Sequence, residues 1–202
     1  NSWNTLVEEK HKEKDLTLRQ EIKLNLLQDI KIDPHEIIKI SNNDLNTFFG
    51  DGIICGSVIL LSGEPGIGKS TLLFYLAENI ENSRKIYYFS GEETLQQLKI
   101  RADRLELKKD RFFLSNNNDL TAIIELCKKE KPDIIFFDSI QTLKHEKIEN
   151  DGSVSNLSQM KICANDIVEF SKSFNIPVII VGHINKSGEI AGPKIIEHLV
   201  DV

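Results

Sequence analysis

The run Gly63-Glu64-Pro65-Gly66-Ile67-Gly68-Lys69-Ser70, followed by Thr71, fits the pattern G-x-x-x-x-G-K-[ST] at every position. Such a loop works only between a buried strand and a helix, so it dictates the local fold around it. Both flanks are present. Val58 to Ser62 is an apolar run of strand length, and Thr71 to Ala77 reads as the start of an apolar helix. The glycines let backbone N–H groups turn inward around phosphate oxygens, and the helix N-terminus adds its positive dipole end. In this arrangement Lys69 reaches the β- and γ-phosphates and Ser70 offers a hydroxyl to Mg²⁺. The expected ligands are ATP and Mg²⁺.

The rest of the chain is the right size and texture for one such domain plus an appendage. It has 202 residues, 40% of them hydrophobic and 28% charged, which excludes a disordered chain. No apolar run approaches the roughly 18 residues that cross a membrane, so a cytoplasmic setting with no membrane partner is expected. The polar start shows no signal-peptide pattern. Cys55, Cys127 and Cys163 are too far apart for a zinc site and odd in number, which fits small buried residues in a reducing compartment. A net charge of −6 argues against an all-over nucleic-acid coat but allows a local basic groove.

Residues 1–35 read as a charged lead-in or linker, closed by the helix-breaking Pro34, and residues 36–202 as the folded core. Within the core, strands are expected at Val58–Ser62, Lys85–Ser90, Arg111–Leu114, Asp133–Asp138 and Pro177–Val181. Helices are expected from about Lys69 to Ile80, Glu93 to Leu105, Asp119 to Lys129, and Ser155 to Phe174. Continuous apolar strands alternating with helices imply an α/β fold: a mainly parallel twisted sheet with helices on both faces.

Ligands of such sheets bind at the C-terminal strand ends. Ile134 to Phe137 closes on Asp138, the form of a Walker B segment whose carboxylate holds Mg²⁺ directly or through water. Lys85 to Ser90 runs into Gly91-Glu92-Glu93. There Glu92 is the favoured residue to orient the attacking water, while acids at a helix start also simply suit its dipole. The last strand runs into Gly182-His183, where a polar side chain faces the γ-phosphate region and could sense hydrolysis, although a lone histidine is usually a structural residue.

Taken together these residues resemble the bacterial RadA (Sms) proteins, a branch of the RecA-like P-loop ATPases. The likeness covers nearly the whole chain: Trp3 to Glu9; Ser90-Gly91-Glu92-Glu93 with Leu98 to Leu105; Asp138 to Leu143; Gly152 to Ser155; and Gly182-His183, Lys186, Gly188, Ala191-Gly192-Pro193 and Glu197-His198. Departures from the family pattern fall at Asp51, Cys55, Asn156, Ser158, Asn185 and Ser187. Ser158 stands where an arginine is expected, which puts one DNA or phosphate contact in doubt.

The resemblance implies a DNA-stimulated ATPase of repair and recombination. Such a protein binds single-stranded DNA and recombination intermediates, forms a homo-oligomeric ring, expected as a hexamer, and drives branch migration. A RecA-type recombinase is a candidate partner. The resemblance also places a zinc finger before Asn1, and a K-N-R-F-G motif and Lon-protease-like domain after Val202. Zinc is expected only in that finger. The chain is thus expected to be an ATPase core whose hydrolysis is weak without a neighbour's basic finger. Gln141, His183 and Lys186 are candidates for a sensor or a DNA loop. Lys144 to Ser158 and His183 to Lys194 are the candidate DNA-facing segments, with Lys144, Lys147, Lys186 and Lys194 available to phosphates. The basic run Arg101, Arg104, Lys108, Lys109 and Arg111 reads mainly as helix surface. Two other uses suit the same loop: an ATP-binding switch or kinase of the circadian-clock or signalling type, and a nucleotide-gated assembly module.

Overall fold

Strands built of unbroken apolar residues must be covered on both faces, and the arrangement of this chain follows from that need. The computed structural model describes residues 24–31, 33–107, 110–146, 156–183 and 196–202. The chain divides into two units, residues 1–32 and 33–202. The first is described only at residues 24–31, where Leu27–Asp29 forms one 3₁₀ turn.

The second unit opens with β1 (Ile37–Ile38), α1 (Asn43–Phe48) and β2 (Ile53–Ile54). The strands pair antiparallel, Ile37 with Ile54 and Ile38 with Ile53. Asn42 caps α1 by accepting from the Leu45 N–H. Gly52 has φ +136°, and a Cβ there would lie 2.6 Å from the Ile38 carbonyl oxygen, so the return to β2 requires glycine.

The main sheet follows: β3 (Val58–Gly63), α2 (Lys69–Asn79), β4 (Ile86–Ser90), α3 (Leu95–Arg104), β5 (Phe112–Ser115), α4 (Leu120–Glu130), β6 (Ile134–Asp138), α5 (Asn156–Phe174) and β7 (Val178–His183). The strand order is β3-β7-β6-β4-β5, and every pair is parallel. The α/β reading is borne out. The termini shift slightly. α3 begins at Leu95 rather than Glu93 because Thr94 and Gln97 form a reciprocal capping box. Asp119 caps α4 by accepting from the Ala122 N–H.

Alternate strand residues serve opposite faces. Val58, Tyr87, Phe89, Ile135, Phe137, Val178 and Ile180 pack with residues of α4 and α5, among them Ile123, Cys127, Cys163 and Ile167. Ile59, Ile86, Tyr88, Ile134, Phe136, Ile179 and Val181 pack with residues of α2 and α3, among them Phe74, Leu76 and Leu98. Ile38, Ile40 and Ile53 join this second cluster. Cys127 and Cys163 are buried as expected, whereas Cys55 is only half-buried beside β2. Burial pushes the Cys127 and Cys163 thiols up to about 12, which makes them inert packing. Among the described residues no helix is long and apolar enough to cross a membrane.

The topology sets the order of strand ends. β7 is last in the chain, yet it lies between β3 and β6. Gly63 therefore stands opposite His183, and Asp138 opposite Ser90. Phe74 fixes the phosphate-loop helix to this platform. Its ring meets Tyr88 edge-on at 5.1 Å and Phe112 at 5.3 Å, and it is fully buried. Phe74→Ala is expected to cost about 3–5 kcal/mol in chemical denaturation, through lost burial and the cavity left behind.

Candidate active site

The loop between β3 and α2 takes its shape from two glycines in the left-handed region, Gly66 at φ +82° and Gly68 at φ +104°. Nothing lies near where a Cβ would stand at either position, so backbone conformation, not crowding, demands glycine. Gly68 is the N-cap of α2 and forms no side-chain cap. The first N–H groups of α2 thus remain for an anion. Lys69 is buried and folds back on the loop, donating from Nζ to the carbonyls of Gly63 at 2.7 Å and Glu64 at 2.8 Å. Burial lowers its pKa from the usual amine range, while the carboxylates of Asp138 and Glu92 act to raise it.

Asp138 ends β6 and is buried. The Tyr88 hydroxyl donates to its Oδ2 at 2.5 Å. Oδ1 is buried with no hydrogen-bond partner among the described residues. A buried anionic oxygen left unmet is costly unless a cation or its water completes it. Among the described residues no cluster of three or more His, Cys, Asp or Glu could hold a metal by itself. The donors present, one carboxylate oxygen and the Ser70 hydroxyl at the start of α2, suit Mg²⁺, which takes few protein ligands and fills its octahedron with water and phosphate oxygens.

The turn after β4 places two glutamates in different surroundings. Ser90 is buried, and its Oγ accepts from the N–H of Glu93 at 3.1 Å and that of Glu92 at 3.4 Å. Glu92 faces the strand ends. Its Oε1 accepts from Ser139 Oγ at 2.7 Å and from His183 Nε2 at 2.9 Å. Glu93 turns to Arg101 of α3, which pairs with both of its carboxylate oxygens and also donates to Thr71 Oγ1 at 3.2 Å. Arg101 is therefore no solvated surface charge. It joins the phosphate-loop helix to the turn after β4. A cavity of about 470 Å³ opens beside it, lined by Thr71, Glu93, Gln97, Ile100, Arg104 and Leu105 as well as Arg101. Arg111, from the same basic run, is also engaged, donating to the Ser83 carbonyl at 2.7 Å.

Gln141 donates to the His183 carbonyl at 3.3 Å and so braces the end of β7. His183 Nδ1 is buried and has no partner among the described residues. At Lys144 the backbone pairs with the start of α4: its N–H donates to the Asn118 carbonyl at 2.8 Å, and its carbonyl accepts from Leu120 at 2.9 Å. Lys108, Lys109, Lys147, Lys186 and Lys194 lie outside the described residues, as do Trp3 to Glu9, Gly152 to Ser155, and residues 184–195.

The structure thus brings Lys69, Glu92, Asp138 and His183 to neighbouring strand ends, with the loop above β3. Sequence reasoning missed Tyr88, Ser139 and the bridging role of Arg101. Ser139 follows Asp138 directly, so adjacency was a signal. The Tyr88 contact depends on register between β4 and β6, which no local pattern carries. Gly91→Ala gives a sharp check on this packing. Its Cβ would fall 2.2 Å from Thr142 Oγ1 and 2.4 Å from Thr142 Cβ. The variant is expected to lose about 1–3 kcal/mol in urea unfolding, from overpacking of the Glu92 turn.

Comparison with known proteins bears on the family of this chain. Residues 59–196 match the ATPase family associated with various cellular activities (AAA). The chain is 40% identical to the DNA repair protein RadA of Aquifex aeolicus (strain VF5), over 98% of its own length and 45% of the relative's. It is 34% identical to the DNA repair protein RadA of Listeria monocytogenes serovar 1/2a, over 100% of its length and 45% of the relative's. The RadA of Bacillus subtilis (strain 168) is 33% identical, over 99% and 45% respectively. The chain spans about half the length of the curated relatives it matches. The chain belongs to the AAA family of ATPases, and the resemblance to RadA is borne out across its length.

Proposed function

We propose that this member of the AAA ATPase family is the ATPase core of a DNA repair and recombination protein, residues 36–202 forming the core and residues 1–35 a lead-in. The observation that carries the catalytic part is the meeting at one end of the sheet of an uncapped helix N-terminus, a buried Asp138 with one oxygen unpartnered among the described residues, and Glu92. ATP binds along Gly63, Glu64, Pro65, Gly66, Ile67, Gly68, Lys69, Ser70 and Thr71. Lys69 exchanges the Gly63 and Glu64 carbonyls for phosphate oxygens, a trade of neutral acceptors for charged ones. Ser70 and Asp138 hold Mg²⁺, which when bound shields the phosphate charge.

Glu92 orients the water. The water oxygen bonds to the γ-phosphorus, its proton passes to the Glu92 carboxylate, and the electrons of the broken bond leave on the β-phosphate oxygen. Lys69 stabilises that developing charge. His183 and Ser139 keep the Glu92 carboxylate aimed at the strand ends, and Gln141 holds His183.

The names of the similar proteins support use of this hydrolysis in DNA repair. The proposal extends to single-stranded DNA and recombination intermediates as partners, a hexameric ring, and translocation that drives branch migration, in company with a RecA-type recombinase. The segments at 144–158 and 183–194 are the proposed DNA-facing segments, with Lys144, Lys147, Lys186 and Lys194 as the proposed phosphate contacts.

The test is ATP turnover by the intact protein with and without single-stranded DNA. Lys69→Ala is expected to weaken ATP binding about 10- to 100-fold, the worth of charged hydrogen bonds. Glu92→Gln is expected to keep ATP binding and lower turnover about 10²- to 10⁴-fold. Unchanged binding in Lys69→Ala would remove the phosphate-loop assignment. Single-strand binding is expected to weaken steadily as salt rises, measured by fluorescence anisotropy. A flat salt response would rule out phosphate contact.

A further inference from the structure

We infer that Tyr88 is a positioning residue for the divalent cation: its phenol holds one oxygen of the Asp138 carboxylate and fixes the carboxylate plane, leaving the other oxygen for the cation. The inference rests on the nucleotide reading above. Three observations carry it.

The first is the bond itself. Tyr88 is fully buried, and its hydroxyl donates to Asp138 Oδ2 at 2.5 Å. A carboxylate left to itself rotates freely about its last torsion. A hydrogen bond to one oxygen holds its plane, and with it the direction of the other oxygen. The other oxygen of Asp138 has no partner among the described residues.

The second is register. Tyr88 stands opposite Phe136, and Ser90 opposite Asp138. Tyr88 and Asp138 therefore point to the same face of the sheet, with the phenol reaching along the strands toward the C-terminal ends. A phenylalanine here would satisfy the packing. The hydroxyl is the added feature, and its partner is the metal-side acid.

The third is the ring's company. Tyr88 meets Phe74 at 5.1 Å, Phe112 at 5.8 Å and Phe136 at 6.3 Å, all edge-on. Phe74 belongs to α2, the helix that begins with Lys69 and Ser70. One side chain thus touches both the carboxylate and the helix that carries the hydroxyl ligand. Outer partners of this kind typically set metal affinity by 10- to 100-fold.

The experiment uses a fluorescent ATP analogue titrated with Mg²⁺ on the intact protein. Tyr88→Phe is expected to raise the Mg²⁺ concentration for half-maximal tight binding about 10-fold, with affinity in EDTA unchanged. In an Asp138→Asn background the same substitution is expected to add nothing, because Tyr88 acts through Asp138. A lower melting temperature with an unchanged Mg²⁺ midpoint makes Tyr88 a packing residue only and overturns the inference. A Tyr88→Phe chain that fails to fold by circular dichroism leaves a measurement on unsubstituted Tyr88. In protein labelled with 3-fluorotyrosine, with every other tyrosine assigned by its Phe variant, Mg²⁺ added to the ATP complex is expected to shift the Tyr88 fluorine resonance. A resonance that does not move overturns the inference. Lys69→Ala separates the two layers. If it leaves Mg²⁺-dependent binding intact, the nucleotide reading fails. If it abolishes binding while Tyr88→Phe matches the parent, only the Tyr88 role fails.

Discussion

The register of β6 between β7 and β4 is the constraint on which the site hangs. Phe136 lies opposite Ile179 on one side and Tyr88 on the other, and those pairings decide which face each residue of the strand meets. Side chains alternate along a strand, so a slip of one residue would turn Asp138 from the α2 face into the apolar layer of α4 and α5. The same slip would bring Phe137 onto the phosphate side. Packing of Phe136 and Phe137 in opposite cores therefore holds the carboxylate in place. Hydrophobic burial, which has no direction of its own, here delivers one charged atom to one location.

Around that location the protein keeps several polar groups short of full satisfaction. Asp138 Oδ1 and His183 Nδ1 are buried without partners among the described residues, and Lys69 donates to two carbonyls of its own loop. Each such group subtracts from stability, and folding elsewhere must offset it. Glu93 and Arg101 show the contrast: an adjacent acid, fully engaged, in a structural pair. The two glutamates differ by one position in sequence and by their entire electrostatic surroundings.

Much of this was open to inspection in the sequence. The loop Gly63 to Thr71 announces itself because its chemistry needs consecutive residues. The strands announce themselves because a doubly covered sheet writes continuous apolar runs. Asp138 is legible as the end of such a run. What stays hidden is whatever depends on two strands meeting. Tyr88 looks like one more aromatic in Ile86 to Phe89, and only pairing with β6 shows what its hydroxyl is near. The contact of His183 with Glu92 spans 91 positions and arises because β7 inserts between β3 and β6. The short β1–β2 pair is invisible for another reason: two-residue strands carry no period. Arg101 sits in a basic run that suggests surface, and its half-buried pairing with Glu93 lies across the turn that precedes α3.

Arg101 also has a mechanical meaning. It is a strut between two parts that the chain connects only by a long detour, the first turn of α2 and the turn after β4. A rigid fork gripping Thr71 at one end and Glu93 at the other couples their displacements. If α2 shifts when its N-terminus is loaded, α3 must follow or the fork must let go. Ile100, one position before the strut, is well exposed on the same helix. One side chain, that of Arg101, thereby ties the start of α2, the turn after β4 and α3 to one another.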